Sequence, residues 1–414
     1  MALPSNAYHE SQSQKSYQAP SLDLLAQETP QSCPTTPEEG IAAALDTMFR
    51  RLGMDARVSA FHHGPTATQY EVTVGAGVTI DNIADLRKNL AYTAATSKVR
   101  VFSPIPGKSA IGIEIPNAVP ETVHLGDVLR SHEMADNVNP MLVPIGKDCE
   151  GRIVTADLIT MPHLLIGGMK GTGKTSFINA MLTTILMRAT PDQVRVILID
   201  TTRMEFSAYA GMRCIPHLLA PVITDPHKAA QALEWVTKEI DARYEDRGHN
   251  RRFRAMLLAG RVHAPGNAAR KVSVHPSLIV IVNDPALLLL GTGNGADDAI
   301  RRISQLGGDA DVHLVLSTIQ FYSSVLPVAT KANFPARLSF AMRTGFDSRA
   351  NLDYSGAEAL IGQGDALFSP TCMTFPIRIQ TPWIDEIENH KVIAHARRQP
   401  QPPYPTADAF LKTL

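Results

Sequence analysis

Residues 168–175 read Gly-Met-Lys-Gly-Thr-Gly-Lys-Thr, between an apolar run, His163-Leu-Leu-Ile166, and a stretch with helical apolar spacing from Phe177 to Leu186. A strand, a glycine-rich turn and a helix start, in that order, restrict this segment to a phosphate-binding loop. Gly168, Gly171 and Gly173 let the backbone turn tightly enough to aim several N–H groups at one anion, and the helix N-terminus adds partial positive charge. Met169, Lys170, Thr172 and Ser176 complete the candidate nucleotide cradle. Lys174 is placed to reach the outer phosphates, and the Thr175 hydroxyl is a candidate Mg2+ ligand. The pattern predicts binding of a nucleoside triphosphate.

With 414 residues, 44% hydrophobic and 19% charged, the chain can bury more than one core, and a single phosphate-loop domain uses about half of it. The net charge of −1 gives no whole-chain signature of a nucleic-acid binder, though a pattern confined to a channel lining would vanish in that total. Cys33, Cys149, Cys214 and Cys372 are far apart and form no metal-binding spacing, which reads as reduced thiols. No apolar run reaches eighteen residues, and the N-terminus lacks a basic region followed by an apolar core. The expected location is cytoplasmic, without direct membrane insertion.

Residues 1–38 are rich in Ser, Gln, Pro and Thr and read as a disordered leader, with Ser21-Leu-Asp-Leu-Leu25 as a docking candidate. A small α+β domain is predicted over 39–150. Its helix starts near Pro37, its strand runs are Gln69–Val74, Val99–Phe102 and Ile111–Ile115, and one helix runs from Ile80 to about Ala95. Pro104, Pro106 and Gly107 supply a turn. From 151 to 392, near-continuous Val/Ile/Leu runs at 163–166, 194–199, 278–282, 312–316 and 337–341 alternate with helical stretches. That is the pattern of a mostly parallel α/β sheet buried on both faces. Residues 364–368 and 376–379 are expected to add edge strands, and 393–414 to form a tail.

Further stretches are Ile145-Gly-Lys-Asp148, Ile215-Pro-His-Leu-Leu219, Lys331-Ala-Asn333, Asp347-Ser-Arg349 and Gly356-Ala-Glu-Ala-Leu-Ile-Gly-Gln-Gly-Asp365. In order and spacing this set resembles the motor region of the FtsK/SpoIIIE family of hexameric double-stranded DNA translocases, over roughly residues 40–390. The resemblance implies a RecA-like P-loop ATPase domain after a small domain, ATP and Mg2+ as ligands, and duplex DNA passing through a ring. That ring would be a homo-hexamer or a mixed ring with another FtsK-like subunit. The transmembrane region and the winged-helix domain of full-length members are expected to be absent.

The strand at 278–282 leads into Asn283-Asp284-Pro285, where the family has an Asp-Glu pair. The resemblance puts Asn283 at the magnesium position and Asp284 at the water-polarising one; a shift of one residue would give Asp284 to the metal. Lys174, Asp284 and Asn283 are thus the candidate catalytic residues, and Thr175 with Asp284 the candidate metal ligands. The family's trans-acting arginine has no counterpart in 305–314, with Arg301 or Arg302 as candidate substitutes, and its glutamine sensor is replaced by Ile319 or shifted to Gln320. The leading expectation is an ATP-dependent DNA translocase in DNA partition or transfer. The alternatives are a hydrolysis-impaired subunit of a mixed ring, or a coupling ATPase of a secretion or conjugation machine.

Weaker signals remain. The basic run from Arg247 to Arg254, continued by Arg261, Arg270 and Lys271, is a candidate DNA contact, though a solvated face is the commoner outcome. The glycine-rich stretch Gly291–Gly295 reads as a pore-facing loop or a mobile connection. Asp200 is a candidate acid near the nucleotide or an interface. Asp347, Arg349 and Glu358 read as inter-subunit contacts or local salt bridges.

Overall fold

The computed structural model describes residues 17–27, 36–105, 107–211, 215–247, 275–292, 294–319, 327–371, 375–400 and 410. The basic run from residue 248 to 271 lies outside them, as do Cys33, Cys214, Cys372, Pro106 and Gln320.

Four antiparallel strands, β1 (Ala56–His63), β2 (Ala67–Val74), β3 (Arg100–Phe102) and β4 (Ile111–Pro116), form a small sheet in the order β1-β2-β4-β3. Tyr70, Val72, Ile113 and Ile115 alternate onto one face, where Leu45 and Phe49, one helical turn apart on Thr36–Arg51, cover them. Strand β1 escapes the sequence reading because it is a half-exposed edge, rich in Arg, Ser and His. The helix expected from Ile80 to Ala95 is two, Ile80–Asp85 and Arg87–Thr93, broken at Leu86, where ψ is 7°.

The second sheet has nine strands: β5 (Leu142–Asp148), β6 (Ile153–Asp157), β7 (His163–Gly167), β8 (Val194–Asp200), β9 (Ser277–Asn283), β10 (Val312–Thr318), β11 (Ala336–Phe340), β12 (Asp365–Ser369) and β13 (Ile377–Gln380). Their order is β6-β5-β13-β12-β11-β7-β10-β9-β8. The run β11-β7-β10-β9-β8 is parallel, and the other pairings are antiparallel. Alternation sorts the apolar strands onto two cores. Leu164, Ile166, Ile279 and Ile281 face the helix Lys174–Arg188, and Leu165, Leu278, Val280 and Val282 face the helices Pro226–Arg247 and Asn294–Leu306.

Several expected boundaries move. The limit drawn at 150 falls inside the β5–β6 hairpin, because Val123, Leu125, Met141, Val143 and Ile145 are buried in the large core. Strands β12 and β13 are interior, since β5 pairs with β13 and gives the edge to β6. Part of the expected leader is ordered: Leu25 is buried, Arg130 donates to the Leu22, Leu25 and Ala26 carbonyls, and the Tyr17 hydroxyl donates to Leu186 O. Helix Glu386–Arg397 runs through the limit at 392, and Phe410 of the expected tail is buried against Trp235. Of the glycine-rich stretch at 291–295, the described residues belong to helices: 291 and 292 end Pro285–Thr292, and 294 and 295 open Asn294–Leu306.

A buried ionic network joins the two sheets. Arg100 of β3 donates to Glu114 of β4 at 2.8 Å and to Pro376 O, while Arg378 of β13 forks onto Asp365 of β12 at 2.7 and 2.9 Å and approaches Glu114 at 3.5 Å. Each buried charge thereby has a partner, which is the condition for tolerating charge in an interior. The Thr66 hydroxyl also donates to Gln380, the last residue of β13.

Candidate functional site

Strand β7 ends at Gly167, and the chain turns through Gly168, Gly171 and Gly173 at φ of 149°, 77° and 121° before the helix begins at Lys174. Only glycine takes this succession without strain. The Met169 amide donates to Ala341 O, Thr172 closes the loop through its hydroxyl to Met169 O, and Gly364 N donates to Thr172 O. The phosphate loop is therefore held between the end of β11 and the turn before β12.

The Lys174 ammonium donates to the loop's own carbonyls, Gly168 O at 2.7 Å and Met169 O at 2.8 Å. Burial pushes its pKa down to about 8, against the pull of Glu205 and Asp284. The Thr175 hydroxyl donates to Glu205 Oε2 at 2.5 Å. These groups open onto a cleft of about 800 Å³ whose lining also includes Lys170, Gly171, Gly173 and Ser176.

Strands β8, β9 and β10 deliver the facing wall. Asp284 follows β9 at φ 46°, in the left-handed region that Asp tolerates better than most residues, and its amide donates to Ser317 O at 2.8 Å. Burial pushes the Asp284 carboxyl up in proton affinity, opposed by Ala286 N–H and Lys174. Among the described residues its buried Oδ1 has no hydrogen-bond partner, and neither has the Ser317 hydroxyl beside it. Buried polar atoms are rarely left so unless a ligand, ion or water completes them. An oxygen-rich set of Thr175, Glu205 and Asp284 next to a phosphate loop fits a hard cation such as Mg2+.

Asn283 ends β9 with its amide donating to Asp200 Oδ1 at 3.2 Å. Burial alone would raise Asp200, but hydrogen bonds from Thr202, the Glu205 and Phe206 amides and Asn283 hold it below the usual carboxylate range. His124 and Trp383, which also line the cleft, meet edge to face at 5.6 Å. Sequence reading missed Glu205, which lies thirty residues from Thr175; the acid five positions after the strand-ending Asp200 was its only trace. It missed Trp383 as well, since a lone aromatic carries no motif.

Ile319, at the expected sensor position, lines the same cleft just after β10, while the candidates that follow are not among its lining residues. Arg301 and Arg302 pair with Asp298 and Asp241 on exposed helices. Asp347 caps the helix Gly345–Leu352 with Thr344, Arg349 donates to Ser355, and Glu358 accepts from Gly356 N, so all three have local partners.

The model of the FtsK/SpoIIIE family matches residues 124–324, and that of the FtsK alpha domain matches 19–117. The chain belongs to the FtsK/SpoIIIE family. It is 44% identical over 391 residues to a DNA translocase FtsK of Streptomyces avermitilis, covering 93% of this chain and 43% of that protein. A DNA translocase FtsK of Tropheryma whipplei is 44% identical over 390 residues, 94% of this chain and 52% of the relative. The chain thus spans about half the length of the curated relatives it matches. Among solved structures, the pCW3 conjugation coupling protein TcpA with ATPgS aligns at TM-score 0.55 and 16% identity, over 86% of this chain and 99% of that one. The cytoplasmic domain of the Thermomonospora curvata type VII secretion ATPase EccC aligns at 0.51 and 21%, over 64% and 32%. These two likenesses concern the fold. No described helix is long and apolar enough to cross a membrane.

Proposed function

We propose that this chain is an ATP-driven motor that moves double-stranded DNA, as the FtsK relatives are named to do. The observation that carries this reading is the convergence of Lys174, Thr175 and Asp284 on one cleft at the ends of parallel strands. Phosphoryl transfer asks for positioning and charge neutralisation rather than covalent chemistry. The loop amides and Lys174 take the outer phosphates; Lys174 exchanges its two carbonyl partners for phosphate oxygens. Thr175 and Asp284 would hold Mg2+, which would supply positive charge against the phosphates. Asp284, kept basic by burial, orients the attacking water. His124 and Trp383 receive the nucleoside end. Work on DNA takes place in a ring of such subunits.

A second reading, a subunit that holds nucleotide and completes a mixed ring without efficient turnover, is favoured by Asn283, a neutral amide committed to Asp200. The lack of any arginine from residue 305 to 314 points the same way, because losing an arginine finger costs about a thousandfold or more in turnover.

The deciding experiment is steady-state ATP hydrolysis by the purified chain with and without long linear duplex DNA, with Lys174→Ala as control. The motor reading expects DNA-stimulated turnover that the control lacks. Tight ATP binding without turnover would establish the second reading, and absence of both nucleotide and DNA binding would overturn both.

A further inference from the structure

We infer that Glu205 supplies the carboxylate that the end of β9 lacks, holding the Thr175 hydroxyl and a water of the magnesium shell from the turn after β8. The inference rests on the reading that the cleft takes ATP with Mg2+.

A threonine hydroxyl that gives a lone pair to a cation must send its proton to an acceptor, and P-loop enzymes commonly pair this hydroxyl with an acid at the end of a neighbouring strand. Here the strand end offers Asn283, whose amide points at Asp200. Asp200 already accepts from the Thr202 hydroxyl, the Glu205 and Phe206 amides and the Asn283 amide, and an aspartate at 283 would replace that last donor with a second carboxylate about 3.2 Å from its Oδ1. Like charges at that distance do not both stay ionised in a buried site. An amide there satisfies Asp200 and leaves the metal side short of one negative charge.

Glu205 makes up that charge. Its Oε2 accepts from Thr175, and both side chains line the cleft with Lys174 and Asp284. Its position is built rather than accidental. Arg203 takes a left-handed φ of 60° to form the turn, the Asp200 carboxylate accepts the Glu205 amide at 2.9 Å and the Phe206 amide at 3.4 Å, and Phe206 is buried against Tyr209. The same Asp200 therefore holds Asn283 on one side and the Glu205 backbone on the other. This is the arrangement by which outer carboxylates orient a metal's ligands.

The test is binding of a fluorescent, non-hydrolysable ATP analogue in excess Mg2+ and in EDTA. The wild type is expected to bind more tightly in Mg2+. Glu205→Gln keeps the hydrogen bond to Thr175 but not the charge; it should match the wild type in EDTA and lose about tenfold of the Mg2+ gain. Glu205→Asp should recover part of it. A full Mg2+ gain in Glu205→Gln, or an equal loss in EDTA, overturns the inference while leaving ATP binding intact. No binding by the wild type in either condition overturns the ATP reading itself, and the inference with it.

Discussion

Gly173 and Gly364 meet backbone to backbone: a Cβ on Gly173 would lie 2.7 Å from the Gly364 amide nitrogen and 2.8 Å from its Cα. Both have positive φ, 121° and 90°, and a Cβ on Gly364 would come within 2.7 Å of Gln380 Nε2. A side chain on Gly173 would drive the phosphate loop off the Gly364 backbone, and one on Gly364 would displace the Gln380 and Thr381 side chains while holding a φ of 90° that only glycine takes without strain. Gly364→Ala, although it lies 190 residues from Lys174 in sequence, should cost about 1–3 kcal/mol of stability. It should also weaken nucleotide binding by about tenfold, since 1.4 kcal/mol is a decade of affinity. Denaturant midpoints and a nucleotide titration check both; unchanged affinity would mean that the turn before β12 does not support the loop.

Nucleotide binding should take up a proton in alkaline solution. Burial brings Lys174 down to about 8 in the free protein, whereas bound phosphates favour its charged form. Below pH 8 the lysine is already protonated and binding needs no proton. Above it, affinity should fall by up to about tenfold per pH unit until the lysine pKa of the bound state is reached. Calorimetry at pH 9 in two buffers of different ionisation heat measures the uptake directly, and equal heats in both would contradict it.

Trp383 should report the nucleoside. The sequence contains two tryptophans. Trp235 is buried against Phe410, while Trp383 opens onto the cleft beside His124. A base stacking there should quench the emission of Trp383 alone. Trp383→Phe should remove the signal and leave binding measurable by a labelled nucleotide; a signal that persists would assign the base elsewhere.

Acid should destabilise the large domain through two buried histidines. Burial lowers His163 and His217 from 6.5 to about 4, and the nearby Arg195 adds to the effect at His217. Between those values the unfolded chain binds more protons, so the stability each contributes is complete above about pH 6.5 and is lost as pH falls toward 4. At about 1.4 kcal/mol per pKa unit, each is worth up to about 3 kcal/mol. Thermal midpoints taken from pH 7 to 4 should fall across this window, and His217→Gln should flatten the fall; a midpoint independent of pH would refute the assignment.

The sequence by itself determined what depends on neighbours along the chain. The spacing of Gly168, Gly171 and Gly173 before an apolar helix dictates a phosphate loop, and the buried runs at 163–166, 194–199, 278–282 and 312–316 dictate parallel strands, because both are local backbone and burial rules. What depends on chains crossing in space was decided only by the tertiary structure. Nothing local marks Glu205 as the partner of Thr175, Gly364 as the support of Gly173, or Trp383 as the neighbour of His124, since each pair is brought together by strand order in the large sheet. The same holds for Asn283. In sequence it reads as a missing acid, and in the fold it is the neutral donor that the ionised Asp200 requires, because the energy of a buried charge is set by which groups the sheet places around it.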